Sequence, residues 1–261
     1  MDIEVLKNKK CFVLDMDGTF YLGNMLFEGS IDFLEHLKEV GKDFVFFTNN
    51  TSRNVQFYID KLERMGCFIT SEKLITASMV TKEFIRKKYG NPRIYLLGTP
   101  LLGNDFLESG LNLVEKDPDI VVAGFDTTVT YEKLNNACTF IRNGKPFIAT
   151  HPDFNCPIEN GFMPDCGAIC AFITASTGVN PKILGKPFPE TLDFILEYTG
   201  CKKEELVFTG DRLYTDIAIG ANNGVTSILV LTGETRLEDL KDSRVKPDFV
   251  FNRLSDMITL L

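Results

Sequence analysis

Apolar residues in this chain gather in short unbroken runs. Residues 11–14, Cys-Phe-Val-Leu, stop at Asp15; residues 44–47, Phe-Val-Phe-Phe, stop at Thr48; Val207 and Phe208 stop at Thr209-Gly210-Asp211. Runs this short, without alternation and followed by turn residues, read as strands buried on both faces rather than as helices. The first third of the chain predicts a strand over 11–14, a helix over 30–40, a strand over 43–47, a helix over 54–65 and a short strand over 74–76. Gly41 and Gly66 stand where helices end. Strand and helix alternate, which implies an α/β fold: a doubly wound, Rossmann-like parallel sheet with helices on both faces.

After Arg53 about 130 residues pass before the next polar cluster, at Gly185-Lys186-Pro187. A crossover between parallel strands needs only about a dozen. The interval has its own alternation, with helices over 79–88, 103–109, 131–143 and 167–176 and strands over 93–97, 120–123 and 147–150. It reads as an inserted α/β domain over 78–183, leaving 1–77 and 184–261 as the core. Pro187 suits the first position of a following helix. Strands over 227–231 and 248–251 and a short helix close the chain. Leu96-Leu97-Gly98-Thr99-Pro100 reads as a strand and a turn, not a phosphate loop, since no Gly-Lys-Ser/Thr follows.

The strand ends carry the chemistry. Asp15-Met16-Asp17-Gly18-Thr19 places two carboxylates one residue apart at the C-terminal edge of a strand, where open α/β sheets bind ligands. Two unit charges about 4 Å apart repel by about 4 kcal/mol at an effective dielectric of about 20. A hard divalent cation relieves this, and Mg²⁺ characteristically takes one or two carboxylates together with substrate phosphate. Gly18 lets the backbone approach a ligand, and Thr19 adds a hydroxyl. Thr48 and Asn49 offer donors for phosphoryl oxygens, yet residues of these types also cap helices, and capping is the commoner use. Arg53 fits either a substrate contact or a solvated helix face, with the solvated face favoured. Lys186 supplies a compact ammonium able to neutralise phosphate and nucleophile together. Asp211 is placed to ligate a metal directly. Asp216 suits a water-mediated metal contact, a loop-orienting role or the N-cap of a helix over 217–222.

Composition narrows the class. The chain has 261 residues and a formal net charge of −8, with no Lys/Arg-rich run. That argues against nucleic acid, which is held mainly by clustered basic residues. No apolar stretch approaches the roughly 18 residues of a membrane span, and residues 1–10 are polar with no secretory segment after them. A cytoplasmic location is expected. Seven dispersed cysteines read as reduced thiols. His151, Cys156, Cys166 and Cys170 match no standard zinc spacing.

The four clusters, Asp-x-Asp-Gly-Thr, Thr-Asn, Lys-Pro and Gly-Asp-x4-Asp, occur in the order and content that resemble the haloacid dehalogenase-like (HAD) hydrolase superfamily. Residues 48–53, 149–153, 164–168 and 210–216 resemble its NagD-like phosphatase branch, and the likeness runs from about residue 10 to 254. The resemblance implies a HAD core with an inserted α/β cap over the active site. It implies Asp15 as nucleophile forming an aspartyl-phosphate and Asp17 as general acid and then base. Thr48 and Asn49 would bind the phosphoryl group, and Lys186 would balance charge. Mg²⁺ would be held by Asp15, the backbone carbonyl of Asp17 and Asp211, with Asp216 in support. Gly18, Asn50 and Arg53 complete the candidate phosphate- and substrate-binding set, and cap residues around His151 and Asn155 would choose the substrate. The expected activity is Mg²⁺-dependent hydrolysis of a small phosphorylated metabolite, such as a sugar phosphate or nucleoside monophosphate. A phosphomutase or phosphotransferase, and a phosphate-binding protein without turnover, are the alternatives. Neither nucleic acid nor membrane is expected as a partner, and a homo-oligomer stays open.

Overall fold

The computed structural model describes residues 2–158 and 161–261. Met1, which begins the expected core, and positions 159–160 of the expected cap lie outside the described residues. The chain divides into two compact units. The first comprises the stretch ending at Thr48, Ile59–Ile75 and Lys186–Leu261; the second comprises Asn49–Tyr58 and Thr76–Gly185. Residues 49–58, read from sequence as core, thus group with the insertion.

Five strands precede or open the insertion: β1 (Cys11–Leu14), β2 (Tyr21–Leu22), β3 (Met25–Leu26), β4 (Asp43–Thr48) and β5 (Leu74–Thr76). Within it lie β6 (Arg93–Leu97), β7 (Asn112–Leu113), β8 (Ile120–Ala123), β9 (Phe147–Ala149), β10 (Asn155–Ile158), β11 (Gly161–Pro164) and β12 (Lys182–Ile183). The chain closes with β13 (Leu206–Gly210), β14 (Thr226–Val230) and β15 (Phe249–Phe251).

In the first unit six strands form one sheet in the order β15-β14-β13-β1-β4-β5, and the pairs from β15 through β4 run parallel. Growth from β1 proceeds outward through β4 and β5, then resumes on the other flank with β13. β1 and β13 therefore flank the topological switch point, where such sheets bind ligands beyond their carboxyl ends. Leu14 lies opposite Thr209 on one side and Phe46 on the other, so Asp15, Phe47 and Gly210 come level at that edge. All four residues of β1 are buried. Burying an aliphatic or aromatic side chain of this size is worth about 1.5–3 kcal/mol, so a register slip is costly. Edge-to-face contacts between Phe12 and Phe33, at 5.8 Å, and between Phe20 and Phe46, at 4.8 Å, lock the strand and the loop after it.

The second unit holds a five-stranded parallel sheet in the order β12-β9-β8-β6-β7. Its strands alternate faces with period two. Val121, Ala123, Phe147 and Ala149 pack with Ala137, Cys138, Ile169 and Ile173 of two helices, Tyr131–Arg142 and Cys166–Thr177. Ile120, Val122 and Ile148 face the opposite way, against Ile85, Leu102 and Phe106. Burial on both faces explains why these strands read as continuous apolar runs.

Three helix starts lie two or more residues from expectation: the helix expected from 79 begins at Ala77, with Thr76 as its N-cap, and two others shift at prolines. The helix expected from 103 begins at Pro100, with Thr99 as its N-cap accepting from Leu102 N; Pro at the first position is compatible with helix because its missing N–H has no intrahelical partner there. The helix expected from Pro187 begins at Pro189, and Pro187 lies in the loop before it. The hairpins β2–β3 and β10–β11 and the two-residue strands β7 and β12 were not predicted, being too short or too exposed for an apolar run. Among the described residues no helix is long and apolar enough to cross a membrane.

Candidate active site

Asp15 leaves the end of β1, its N–H still bonded to Thr209 O at 2.9 Å. Lys186 Nζ donates to Asp15 Oδ1 at 2.6 Å and to Phe47 O at 3.2 Å, and lies 2.7 Å from Asp216 Oδ1. Asp15, Asp211 and Asp216 bring one carboxylate oxygen each within 4.8 Å of one another. Burial and the neighbouring Asp216 and Asp211 push the Asp15 carboxyl well above the ordinary range, against the pull of Lys186. Burial and Asp216 likewise raise Asp211 to about 6. Burial alone would lower the Lys186 ammonium, but Asp15 and Asp216 together outweigh it and hold it above its usual value.

With all three carboxylates ionised, the single ammonium leaves two negative charges uncompensated in this buried cluster of hard oxygen donors, and with burial this favours the protonated forms of Asp15 and Asp211. That donor set fits a hard divalent cation such as Mg²⁺. Asp17, whose backbone carbonyl and not its side chain is the expected ligand, contributes no carboxylate to this cluster.

Close backbone approach packs the carboxylate cluster. Gly18 has φ +86°, and a Cβ there would overlap the Asp211 carboxylate; a Cβ at Gly210 would overlap that of Asp216. Asp211 Oδ1 accepts from the Thr19 hydroxyl at 3.1 Å and Oδ2 from Glu234 N at 2.7 Å. Thr232 Oγ1 donates to Gly18 O at 2.6 Å. The segment Thr232-Gly233-Glu234 was missed from sequence. Its signal was available: like β4 and β13, strand β14 is an apolar run that leads to small polar residues at the same sheet edge.

Asp216 is not a helix N-cap. It lies within a single π-helical turn, Leu213–Ile217, and its Oδ2 accepts from Arg212 N at 3.0 Å. Such π-turns frequently mark functional sites. Asp17 stands at the rim with its side chain 42% exposed. Partial burial raises its carboxyl above the ordinary range, opposed first by Lys61 and then by the Tyr21 hydroxyl.

Thr48 ends β4 and is buried. Capping by Thr48 or Asn49 is overturned. The helix begins at Val55, and Asn54 Oδ1 accepts from Phe57 N at 3.0 Å in the capping role. In the second unit Asn49 Nδ2 donates to Asp153 Oδ2 at 2.8 Å. Asn50 Oδ1 accepts from Ser52 N and Oγ, forming an Asx turn. Arg53 is exposed, its guanidinium 4.9 Å from the Phe57 ring centre. Asn155 is exposed on β10.

His151 corrects the sequence expectation of a substrate contact. It is fully buried, with Nδ1 at 2.8 Å from Thr150 Oγ1 and Nε2 at 2.9 Å from Asp165 Oδ1. Both ring nitrogens are engaged inside the protein, so the ring presents no donor to a ligand. Burial works against the charged form, but Asp165 and its neighbours prevail and raise the imidazole to about 9.

Comparison with known proteins agrees with this geometry. Residues 12–112 match the family described as haloacid dehalogenase-like hydrolase, and residues 183–257 match a second HAD-hydrolase-like family. An acid sugar phosphatase of Staphylococcus aureus (strain MRSA252) is 36% identical over 98% of this chain and 99% of its own length. The crystal structure of a 4-nitrophenylphosphatase from Thermotoga maritima superposes with a TM-score of 0.95 at 50% identity, covering 98% of each chain. NagD from E. coli K-12 gives a TM-score of 0.88 at 29% identity over 95% of this chain and 98% of its own. The chain belongs to the haloacid dehalogenase-like hydrolase superfamily and is a phosphatase of its NagD-like branch.

Proposed function

We propose that this phosphatase hydrolyses small phosphomonoesters in two steps through phosphorylated Asp15. The observation that carries the reading is the Asp15 carboxylate held 2.6 Å from buried Lys186 at the switch point, with Asp17 two residues on. In the first step an Asp15 oxygen attacks phosphorus, the bond to the leaving oxygen breaks, and Asp17 gives that oxygen its proton. In the second, Asp17 takes a proton from water, whose oxygen attacks the same phosphorus. The bond to Asp15 breaks and inorganic phosphate leaves. The raised carboxyl of Asp17 suits a group that must start protonated.

Phosphoryl transfer is governed by positioning and charge stabilisation. Lys186 offsets repulsion between an anionic nucleophile and an anionic ester, about 4 kcal/mol per close pair, equivalent to about three powers of ten in rate. Thr48 and its chain neighbour Asn49 bind the phosphoryl oxygens; the Gly18 N–H is taken by Tyr21 O, so Gly18 serves by its close backbone approach to Asp211. Mg²⁺ would be held by Asp15, the Asp17 carbonyl, Asp211 and Asp216. When bound, it supplies charge neutralisation on the transferring phosphoryl group.

The relatives' names, acid sugar phosphatase and 4-nitrophenylphosphatase, support small phosphomonoesters, sugar phosphates among them, as substrates. The insertion over 78–183 acts as the cap that selects among them. Net charge −8, with no Lys/Arg-rich run, supports a role apart from nucleic acid.

Acid quench during turnover of 4-nitrophenyl phosphate with Mg²⁺ tests the reading. Intact mass is expected to show one added phosphoryl group on the wild-type chain. Asp15→Asn should show neither the adduct nor turnover, because an amide is a poor nucleophile. Wild-type turnover by purified Asp15→Asn would overturn the assignment.

A further inference from the structure

The side chains around Asp17 form an arrangement that the two-step reading does not use. Tyr21 follows Asp17 by four residues and folds back on it: Gly18 N bonds to Tyr21 O at 2.8 Å, and Tyr21 N bonds to Met16 O at 3.2 Å. The turn brings the buried Tyr21 hydroxyl 3.2 Å from Asp17 Oδ2, to which it donates. Lys61 reaches the same place from the helix Val55–Arg64. Its Nζ lies 3.8 Å from the centre of the Tyr21 ring and 3.7 Å from Asp17 Oδ1. Each carboxylate oxygen of Asp17 therefore has its own partner, and the two partners are joined by a cation–π contact.

Helix lysines ordinarily extend into solvent, because a hydrated ammonium gains little from a single exposed ion pair. Lys61 instead keeps only 14% of its side chain exposed. Desolvation strengthens a cation–π contact. The charge stands over the fully buried ring of Tyr21. Asp17 itself is 42% exposed, and without partners its carboxylate would sample several rotamers.

We propose that Lys61 and Tyr21 are positioning residues that together fix the Asp17 carboxylate for proton transfer to the leaving oxygen. The inference rests on the acid–base role given to Asp17 above. A misplacement of about 1 Å at a reacting group costs about a hundredfold in rate, so holding one rotamer is a kinetic function and not only a packing one. The loss must depend on the leaving group. An alkoxide needs its proton in the transition state, whereas 4-nitrophenolate leaves with little help. A fault in packing or in phosphoryl binding would slow both esters alike.

The test measures the first step alone, in single turnovers with enzyme in excess and saturating Mg²⁺. The two esters are 4-nitrophenyl phosphate and an alkyl phosphate that the wild type cleaves. Tyr21→Phe keeps the buried ring and removes the hydroxyl; Lys61→Met keeps most of the stem and removes the charge. Each is expected to slow the alkyl ester about tenfold, a part of the roughly 10²–10⁴-fold that general-acid assistance is worth, and the nitrophenyl ester less than about threefold. Lys61→Arg should restore most of the alkyl rate. Equal loss on both esters, or no loss on either, in Tyr21→Phe and Lys61→Met would overturn the positioning role. Asp17→Asn run alongside separates the two levels. If it too leaves the ratio of the two rates unchanged, the acid role of Asp17 falls; if it shifts the ratio while the other variants do not, only this inference falls. Should Lys61→Met fail to fold, Tyr21→Phe decides the question by the same ratio.

Discussion

Lys186 touches two of the three clustered carboxylates, and the third, Asp211, is held by a hydroxyl and a backbone N–H. Asp211 is therefore the member whose charge depends most on a bound cation. Asp211→Ala is expected to raise the Mg²⁺ concentration for half-maximal activity at least about tenfold, with part of the rate recovered at high Mg²⁺. A Mg²⁺ titration curve identical to wild type would remove Asp211 from the metal site. At this scale the sequence was informative wherever a residue follows an apolar run, because the strand itself delivers the side chain to the sheet edge. Asp15, Thr48 and Asp211 stand at strand ends for that reason. Lys61 and Lys42 follow no such run. Lys42 is buried with its ammonium on the carbonyl oxygens of Leu6, Lys7 and Lys9. In sequence both look like ordinary surface lysines, since their partners come from chain segments that only folding brings near.

Among the elements, the loop after β9 and the start of the helix Cys166–Thr177 depend on each other. Asp165 caps that helix by accepting from Cys166 N at 2.5 Å, and the same oxygen is 2.9 Å from His151 Nε2. His151 is raised from its ordinary value to about 9, so the folded state binds its proton more tightly than the unfolded chain. The resulting stability is complete below about pH 6.5 and is lost as pH rises through about 9. Asp165→Asn keeps a cap acceptor but removes the counter-charge. It is expected to cost about 3 kcal/mol near neutral pH and distinctly less near pH 10. Urea unfolding midpoints of the two proteins at both pH values read the difference; a gap that does not narrow at high pH would mean that the imidazolium is not its source. The pairing was invisible in sequence. Fourteen residues separate His151 from Asp165, and the unpredicted β10 and β11 lie between them. Long apolar strands and glycine-terminated helices were legible because their signals are local. Short hairpins and helix starts were not, because they depend on tertiary contacts and on which of several capping residues wins.

Across the whole molecule, one unit holds the clustered carboxylates and Lys186, and the other holds Asn155 and the β10–β11 hairpin. Asn155→Ala, an exposed change, is expected to reorder kcat/KM across a panel of sugar phosphates and nucleoside monophosphates by about tenfold between extremes, the scale of one pocket contact. A uniform change with the order intact would count against a selecting role for the second unit. The sequence by itself determined the α/β class, the alternation of strands and helices and the acidic residues at the strand ends. These follow from patterns spanning a few residues, where apolar runs select strands and turn residues end them. Only the tertiary structure decided that β13 lies beside β1, so that Asp15 and Asp211, far apart in the chain, share one buried cluster with Asp216 and Lys186. It likewise decided that His151 is an internal ion pair and that Tyr21 and Lys61 enclose Asp17. Strand order and side-chain burial are set by long-range packing, and no local pattern in the chain encodes the distance between such residues.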